Sequence, residues 1–533
     1  MTAELIIENA HIRTLDPEKP FATHIAITDG MIAAIGGADD VKPHHGSQTR
    51  LIDGKDLHIT PGITDSHFHP FWGTIATRGA DLTKANTLDE LRAILRAERD
   101  KVGPDAWVIG WGLTFEMFQE TGIRGDLFAD AVDGGLAYLR FFEGHTSVAS
   151  PAAIAFSDVT GRETFGEYSE VVTDEHGVPT GELREGKAME LITRHIPEPS
   201  EETMYGWYLE EMKKWNALGI TGMHNMDGTP ETYPFLRKME EKGDLTVRMI
   251  VPLHQQPHFE LDYMREQLQY RDEKGTLFRG GVAKFFNDGV IESGTAWLID
   301  PDTKGMNTEP FWPDPNKYKE AVRIFAEAGF QCATHAVGDM AVRCALDAYE
   351  AAGVADGLHH RIEHIEQLDD ADVPRFARLS VGASMQPLHM NAFEEDGSDE
   401  WSVRVGPERR KRGFRTRDLL NSGAILALGS DWMVAPYDPR IGMAWARLRR
   451  PGGMPEKGYI NREQALTPEE VLAGYTTEAA RIVSEEAFSG MLKVGYRGDL
   501  TAFAADLIET DADALLDLPI LLTVVHGRVV FEA

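Results

Sequence analysis

Apolar and polar positions alternate through the first sixty residues. "ELIIENAHIRTL", "HIAITDGMIAAIG" and "QTRLIDGKDLHITPG" repeat at every second residue and are broken at Asp-Gly or Gly-Gly, which predicts short, half-buried strands. "TDG" in the second stretch predicts a hairpin turn. The closing segments "GYRGDLTAFAAD" and "LLTVVHGRVVFEA" read the same way, with a turn at His526-Gly527, so both ends of the chain are β-rich. In the middle the period changes. Short apolar runs ("GITGMHNM", "VAKFFNDG", "QCATHAVG", "RIEHIE", "SVGASMQP", "AILALGSD") alternate with amphipathic segments such as "LDELRAILRAERD", "KYKEAVRIFAEAG", "DMAVRCALDAYEAAG" and "TPEEVLAGYTTEAARIV". Thr467 before Pro468 is an N-cap followed by a proline at the first helical position. Buried runs between helices predict a parallel α/β architecture. The number of units, and the polar residues at the run ends, favour a (β/α)8 TIM-like barrel over an open sheet. Residues from about 75 to 215 hold more chain than one crossover needs and include strand-like "WVIGWG", "LAYLRFF" and "YSEVVTDEHGVPTGEL". They predict an insertion after the first barrel strand.

Those polar residues carry the candidate chemistry. "PGITDSHFHP" places His67 and His69 on one face of a strand, about 7 Å apart at the backbone. His335 ends "QCATH", His364 ends "RIEH" and Asp431 ends "AILALGSD". In a barrel the C-terminal strand ends meet at one mouth, where neutral imidazoles and a carboxylate suit Zn²⁺, Mn²⁺ or Fe²⁺. Lys284, inside the apolar run "VAKFFNDG", is the odd member. Either it pairs with Asp288 or Asp339, or its desolvated amine reacts with CO2 to form an anionic carbamate that can bridge two metals. His224 in "TGMHNMD" ends another run and is a candidate support, and Asp65 and Asp339 are candidates to orient neighbouring histidines.

Composition narrows the class. With 533 residues, 42% hydrophobic and 26% charged, the chain can bury a large core. A formal charge of −33 argues against a nucleic-acid partner. No apolar run is long enough to span a membrane, and "MTAELIIENAHIRTLD" lacks a basic stretch followed by an apolar one, so the expectation is a cytoplasmic protein. Cys332 and Cys344 form no Cys-x-x-Cys motif and read as small buried side chains. The basic run "ERRKRGFRTR" (residues 408–417) is a solvated loop, an anion site or an intersubunit contact.

Together the motifs resemble the metal-dependent amidohydrolase superfamily, in its amidohydrolase family 3 (YtcJ-like) branch. "PGITDSHFHP" is similar to that family's first-strand motif and "VAKFFNDGVIESGTA" to its fourth. "THAVGDMAV" with "RIEHIEQL" resembles the fifth and sixth, and "LALGSDWMVAPYDP" the eighth. "FFEGHTSVAS" and "GVPTGELRE" resemble segments of its insertion, and "KVGYRGDLTAF" and "VVHGRVVFE" the closing strands of a composite β-sandwich. The resemblance implies a barrel over residues 60–484 and a sandwich from 1–59 plus 485–533. It also implies two divalent ions, most naturally Zn²⁺, with His67, His69 and Asp431 on one, His335 and His364 on the other, and carboxylated Lys284 as the bridge. The sequence departs after the "GW" of "VIGWG": relatives often carry an acidic residue there, and this chain has "GWGLTF".

The reaction this resemblance implies is hydrolysis of a C–N bond in an amide, N-formyl or other amide-like small molecule by metal-activated hydroxide. Asp431 would be the proton shuttle and His145 the hydrogen-bond donor to the carbonyl oxygen; a purely structural His145 stays open. N-substituted formamide deformylation is the specific activity best known in the branch. Phe71, Trp72, Trp111, Phe115, Trp297 and Trp432 lie near the motifs and suggest a substrate with an apolar or aromatic substituent. Alternatives are ester, lactone or phosphoester hydrolysis by the same centre, or a non-catalytic scaffold. A homodimer is expected only as the commonest closed assembly.

Overall fold

The structure, a computed structural model, describes residues 2–165, 168–355 and 357–533. The apolar runs of the middle segment form eight parallel strands: β1 (Ile63–Phe68), β2 (Ile220–Asn225), β3 (Arg248–His254), β4 (Phe278–Phe286), β5 (Gln331–Ala336), β6 (Arg361–His364), β7 (Gly382–Met385) and β8 (Leu426–Leu428). Each pairs with its neighbour in sequence, and the register sets Lys284 beside Ala333 and Ala336 beside His364. Every residue of β2 and β5 is buried, which is why these strands read as continuous apolar runs rather than alternating ones. The ring closes beyond the end of β8. Asp65 of β1 accepts the Ser430 N–H at 3.0 and 3.1 Å, and the Asp431 N–H donates to the His67 carbonyl at 2.8 Å. Closure therefore covers the two outer strands of the sheet with each other and pins two of the candidate ligands together.

Around the ring the helices bury large side chains, with Trp215, Trp312, Trp401 and Trp445 in one continuous core. Helix Pro468–Gly474 starts as its sequence predicts: Thr467 Oγ1 accepts the Glu470 N–H, and Glu470 Oε2 accepts the Thr467 N–H at 2.7 Å. It stops sooner than the periodicity suggests. The Tyr475 carbonyl accepts the Thr64 N–H of β1 at 2.9 Å instead of a helical N–H, and a second short helix, Thr477–Arg481, comes next.

Both chain ends contribute to one six-stranded sheet, in which Leu500–Phe503 runs antiparallel to His58–Pro61. A four-stranded sheet of N-terminal strands packs with it over Ile7, Ile12, Ile25, Ile27, Ile59, Leu500, Leu522 and Val524. The predicted hairpin is present, with Asp29 at φ 50° and Gly30 at φ 71° joining His24–Thr28 to Met31–Gly36. After β1 the inserted chain forms its own six-stranded sheet from Ala80 to Arg184. Helix Glu201–Ala217, by contrast, buries Met212 and Trp215 in the barrel core.

Candidate metal centre

Asp431 is the hub of the barrel mouth. Its Oδ1 lies 3.3 Å from His67 Nε2 and 3.1 Å from His69 Nε2, and its Oδ2 lies 3.4 Å from His389 Nε2 and 3.8 Å from His364 Nδ1. Two three-donor groups therefore share one carboxylate: His67, His69, Asp431 and His364, His389, Asp431. His67 comes from β1, and His69 caps the helix Pro70–Ala76 immediately after it. His364 and Asp431 sit in left-handed backbone, at φ 74° and 60°. Strain of that kind, about 1–3 kcal/mol per residue, persists where the surroundings dictate it.

The buried residues behind the hub determine which nitrogens face it. Glu363 Oε2 is 2.8 Å from His67 Nδ1, so the His67 N–H points away and its Nε2 lone pair faces Asp431. Burial raises the Glu363 carboxyl, but Arg361 and His67 outweigh burial and hold it well below the usual carboxylate range. Arg361 donates to both oxygens of Glu363, to the Ser66 carbonyl and to Ser384 Oγ, and its Nη1 lies 2.8 Å from His224 Nδ1. His224 is thus two contacts removed from His67. Asp65 and Asp339 orient no histidine: Asp65 accepts the backbone N–H groups of His67 and Ser430, and Asp339 that of Ile299.

Electrostatics fit a cation. Burial raises the Asp431 carboxyl, yet the facing His67 and His69 hold it well below its ordinary value, as an anion. Burial and neighbouring rings push His335 and His364 well below 6.5, so both are neutral and hold lone pairs. His389 Nε2 and Asp431 Oδ1 are buried and lack a hydrogen-bond partner among the described residues. Donor atoms that converge without bonding one another are what a divalent ion requires.

Lys284 stands in β4 with its Nζ also buried and without a hydrogen-bond partner among the described residues; burial lowers it to about 8, against the opposing pull of Glu363 and Asp431. It pairs with neither Asp288 nor Asp339, since Asp288 accepts the N–H groups of Val337, Gly338 and Trp297. His335 falls outside both donor groups. Its Nε2 is 3.1 Å from the Gly289 carbonyl, and its ring packs on His364 with centroids 4.4 Å apart.

A cavity of about 560 Å³ opens over the hub. The insertion supplies His145, whose Nδ1 lies 2.8 Å from Glu185 Oε2; although burial lowers its pKa, Glu185 raises it to about 9. Of the six aromatics singled out in the sequence, only Trp72 lines the cavity, together with Phe142, Phe259, Phe286 and Phe311. Phe71 packs on Tyr208, Phe115 on Phe141, and Trp432 on Phe68 and Trp215. The basic run is largely engaged internally: Arg412 pairs with Asp369, Arg415 with Asp418 and Arg417 with Glu470, while Arg409 donates to backbone carbonyls.

His389 is not among the residues the sequence singles out. It lies in the turn after β7, two residues past the run "SVGASMQP", so a search of strand ends alone passes it by. Glu363 hides inside "RIEH" because a buried carboxylate reads as a strand residue until its partner on β1 is visible.

The profile of the amidohydrolase family matches residues 50–531. The chain is 27% identical to the YtcJ protein of Bacillus subtilis, over 95% of this chain and 96% of that protein. It is 24% identical to an N-substituted formamide deformylase of Arthrobacter pascens, over 99% and 98%. The crystal structure of an uncharacterized metal-dependent hydrolase from Pyrococcus horikoshii superposes with a TM-score of 0.74 at 22% identity, covering 95% of this chain and 99% of that one. With a closed eight-stranded barrel and a profile match through nearly its whole length, the chain belongs to the amidohydrolase family.

Proposed function

We propose that the protein is a metal-dependent hydrolase that cleaves a C–N bond in an amide, N-formyl or related small molecule. The observation that carries this reading is the single carboxylate of Asp431 facing four imidazoles, two per oxygen. His67, His69 and Asp431 would hold one ion, and the histidines around Asp431 Oδ2 a second, with zinc the ion that best suits this N/O donor set. A divalent ion there supplies Lewis acidity and acidifies water. Lys284 is the candidate bridging residue: its amine adds to CO2, loses a proton and becomes a carbamate, and the lowered pKa makes the reacting neutral form accessible near neutral pH. That change replaces a cation with an anion where an ammonium would repel metal.

The residues around the substrate have separable tasks. Asp431, buried and anionic, takes the proton of the attacking water and returns it to the leaving nitrogen. His145, kept protonated by Glu185, donates a hydrogen bond to the carbonyl oxygen as negative charge develops on it. Trp72, Phe142, Phe286 and Phe311 exclude water and hold an apolar substituent. The deformylase relative supports N-formyl amines as the first compounds to try.

The test is a zinc-reconstituted screen of N-formyl and N-acyl amines beside p-nitrophenyl esters and phosphates. Chelator-sensitive amide turnover that falls ~10³-fold in Asp431→Asn is expected. Turnover that persists in that variant, or that ignores chelator, would overturn the proposal.

A further inference from the structure

The cavity has a second polar region apart from the hub. Glu143 lies just past the inserted strand Ala137–Phe141, and Glu185 just past Pro179–Arg184; both side chains line the cavity and are 5% and 3% exposed. Neither oxygen of Glu143 has a hydrogen bond of ordinary geometry among the described residues, although the Thr146 hydroxyl is near, and Glu185 Oε1 also lacks one. Buried carboxylates left this way are costly unless something from outside satisfies them. Glu292, on the loop after β4, joins them at the lining, and the principal charges acting on it are other carboxylates, Glu366, Glu143 and Asp399.

The cations of the cavity answer this need only in part, through His145, which pairs with Glu185 Oε2 and whose charge also acts on Glu143. Lys187 is held by Glu190 at 2.7 Å, Lys284 stands at the hub, and His145 directs its Nδ1 to Glu185. An indole is at hand, because the edge of the Trp72 ring lies against Gly144, next to Glu143, where a Cβ would sit 2.5 Å from Trp72 Cη2. Carboxylates beside an indole are the usual receptor for a protonated amine.

We propose that the cavity selects amide-like substrates whose apolar stem ends in a protonated amine, received by Glu143, Glu185 and Glu292 beside Trp72. This rests on the hydrolase reading of the same site. Desolvation pushes the Glu143 carboxyl up to about 7 and Glu292 well above its ordinary value, and an ammonium bound between them would favour the charged form of both.

The probes are N-[4-(aminomethyl)benzyl]methanesulfonamide and its neutral counterpart N-(4-methylbenzyl)methanesulfonamide, which lack a hydrolysable carbonyl. Calorimetric binding to the zinc-loaded protein with Asp431 intact needs no turnover, so the outcome is independent of whether formamides are hydrolysed. The cationic probe should bind about tenfold to a hundredfold more tightly, and Glu143→Gln or Glu292→Gln should each shrink that preference several-fold. Zinc per chain should match that of the parent. Equal binding of the two probes, or a preference unmoved by both substitutions, would overturn the proposal. So would loss of bound metal in Glu143→Gln, since the carboxylates would then be ion ligands.

Discussion

Replacing Glu363 by Gln tests whether the buried support behind the hub controls the metal site. Glu363 accepts Arg361 Nε at 2.6 Å, Arg361 Nη2 at 2.9 Å and the His67 ring N–H at 2.8 Å. A glutamine has one acceptor oxygen: its NH2 would face Arg361 Nε in the place of Oε1, or both Arg361 Nη2 and His67 in the place of Oε2, donor against donor. Arg361 is 1% exposed, and its other partners, Ser66, Ser384 and His224, carry no negative charge to replace the one removed. Breaking such a buried pair from one side costs about 3–5 kcal/mol. Freeing the His67 ring should weaken zinc about tenfold to a hundredfold. The stability loss is read from urea unfolding of metal-free protein, and the affinity from competition with a zinc indicator. Arg361→Met combined with Glu363→Gln should recover part of the stability, since no unpaired charge remains, while zinc stays weak. If Glu363→Gln unfolds within about 1 kcal/mol of the parent and binds zinc equally well, the support is not a determinant and the reasoning fails.

The same geometry sets three further outcomes. Glu185 raises His145 from 6.5 to about 9, so the pair's stabilisation, at most about 3 kcal/mol, is complete below pH 6.5 and disappears as pH rises through about 9. Urea midpoints at pH 6 and 10 should show that drop in the parent and a smaller one in Glu185→Gln. A Cβ at Gly429 would lie 2.5 Å from the His67 backbone nitrogen and 2.7 Å from Asp65 Oδ1, so Gly429→Ala should cost about 1–3 kcal/mol and lower the zinc retained on purification. Lys284 is lowered from 10.5 to about 8, a burden on the metal-free fold that is full below pH 8 and fades toward 10.5. Lys284→Met should therefore raise metal-free stability at pH 6 by about 2–3 kcal/mol and leave little gain at pH 10.5, while bound zinc falls.

Local chemistry announces some features outright. Thr467 and Glu470 cap their helix, Asp29-Gly30 turns its hairpin, and the apolar runs become strands, because each depends on residues only a few positions apart. The histidine pair of β1 and Asp431 were legible for a related reason: polar side chains at the ends of buried runs have few roles besides binding. Other features needed distant segments to meet. Trp432 reads as a pocket wall yet packs on Phe68 and Trp215, because the loop after β8 folds back across β1 to close the barrel. His389 enters the hub from a turn whose path no period describes, and Glu363 becomes a positioning group only when β6 is set against β1 across the barrel interior. The order of residues alone thus determined the barrel, its strands and most of the polar groups at its mouth, since hydrophobic periodicity is a local property. Which of those groups share an oxygen of Asp431, and which carboxylate oxygens line the cavity without a hydrogen bond among the described residues, was decided by closure of the ring, since distance between remote residues is a property of the packed molecule alone.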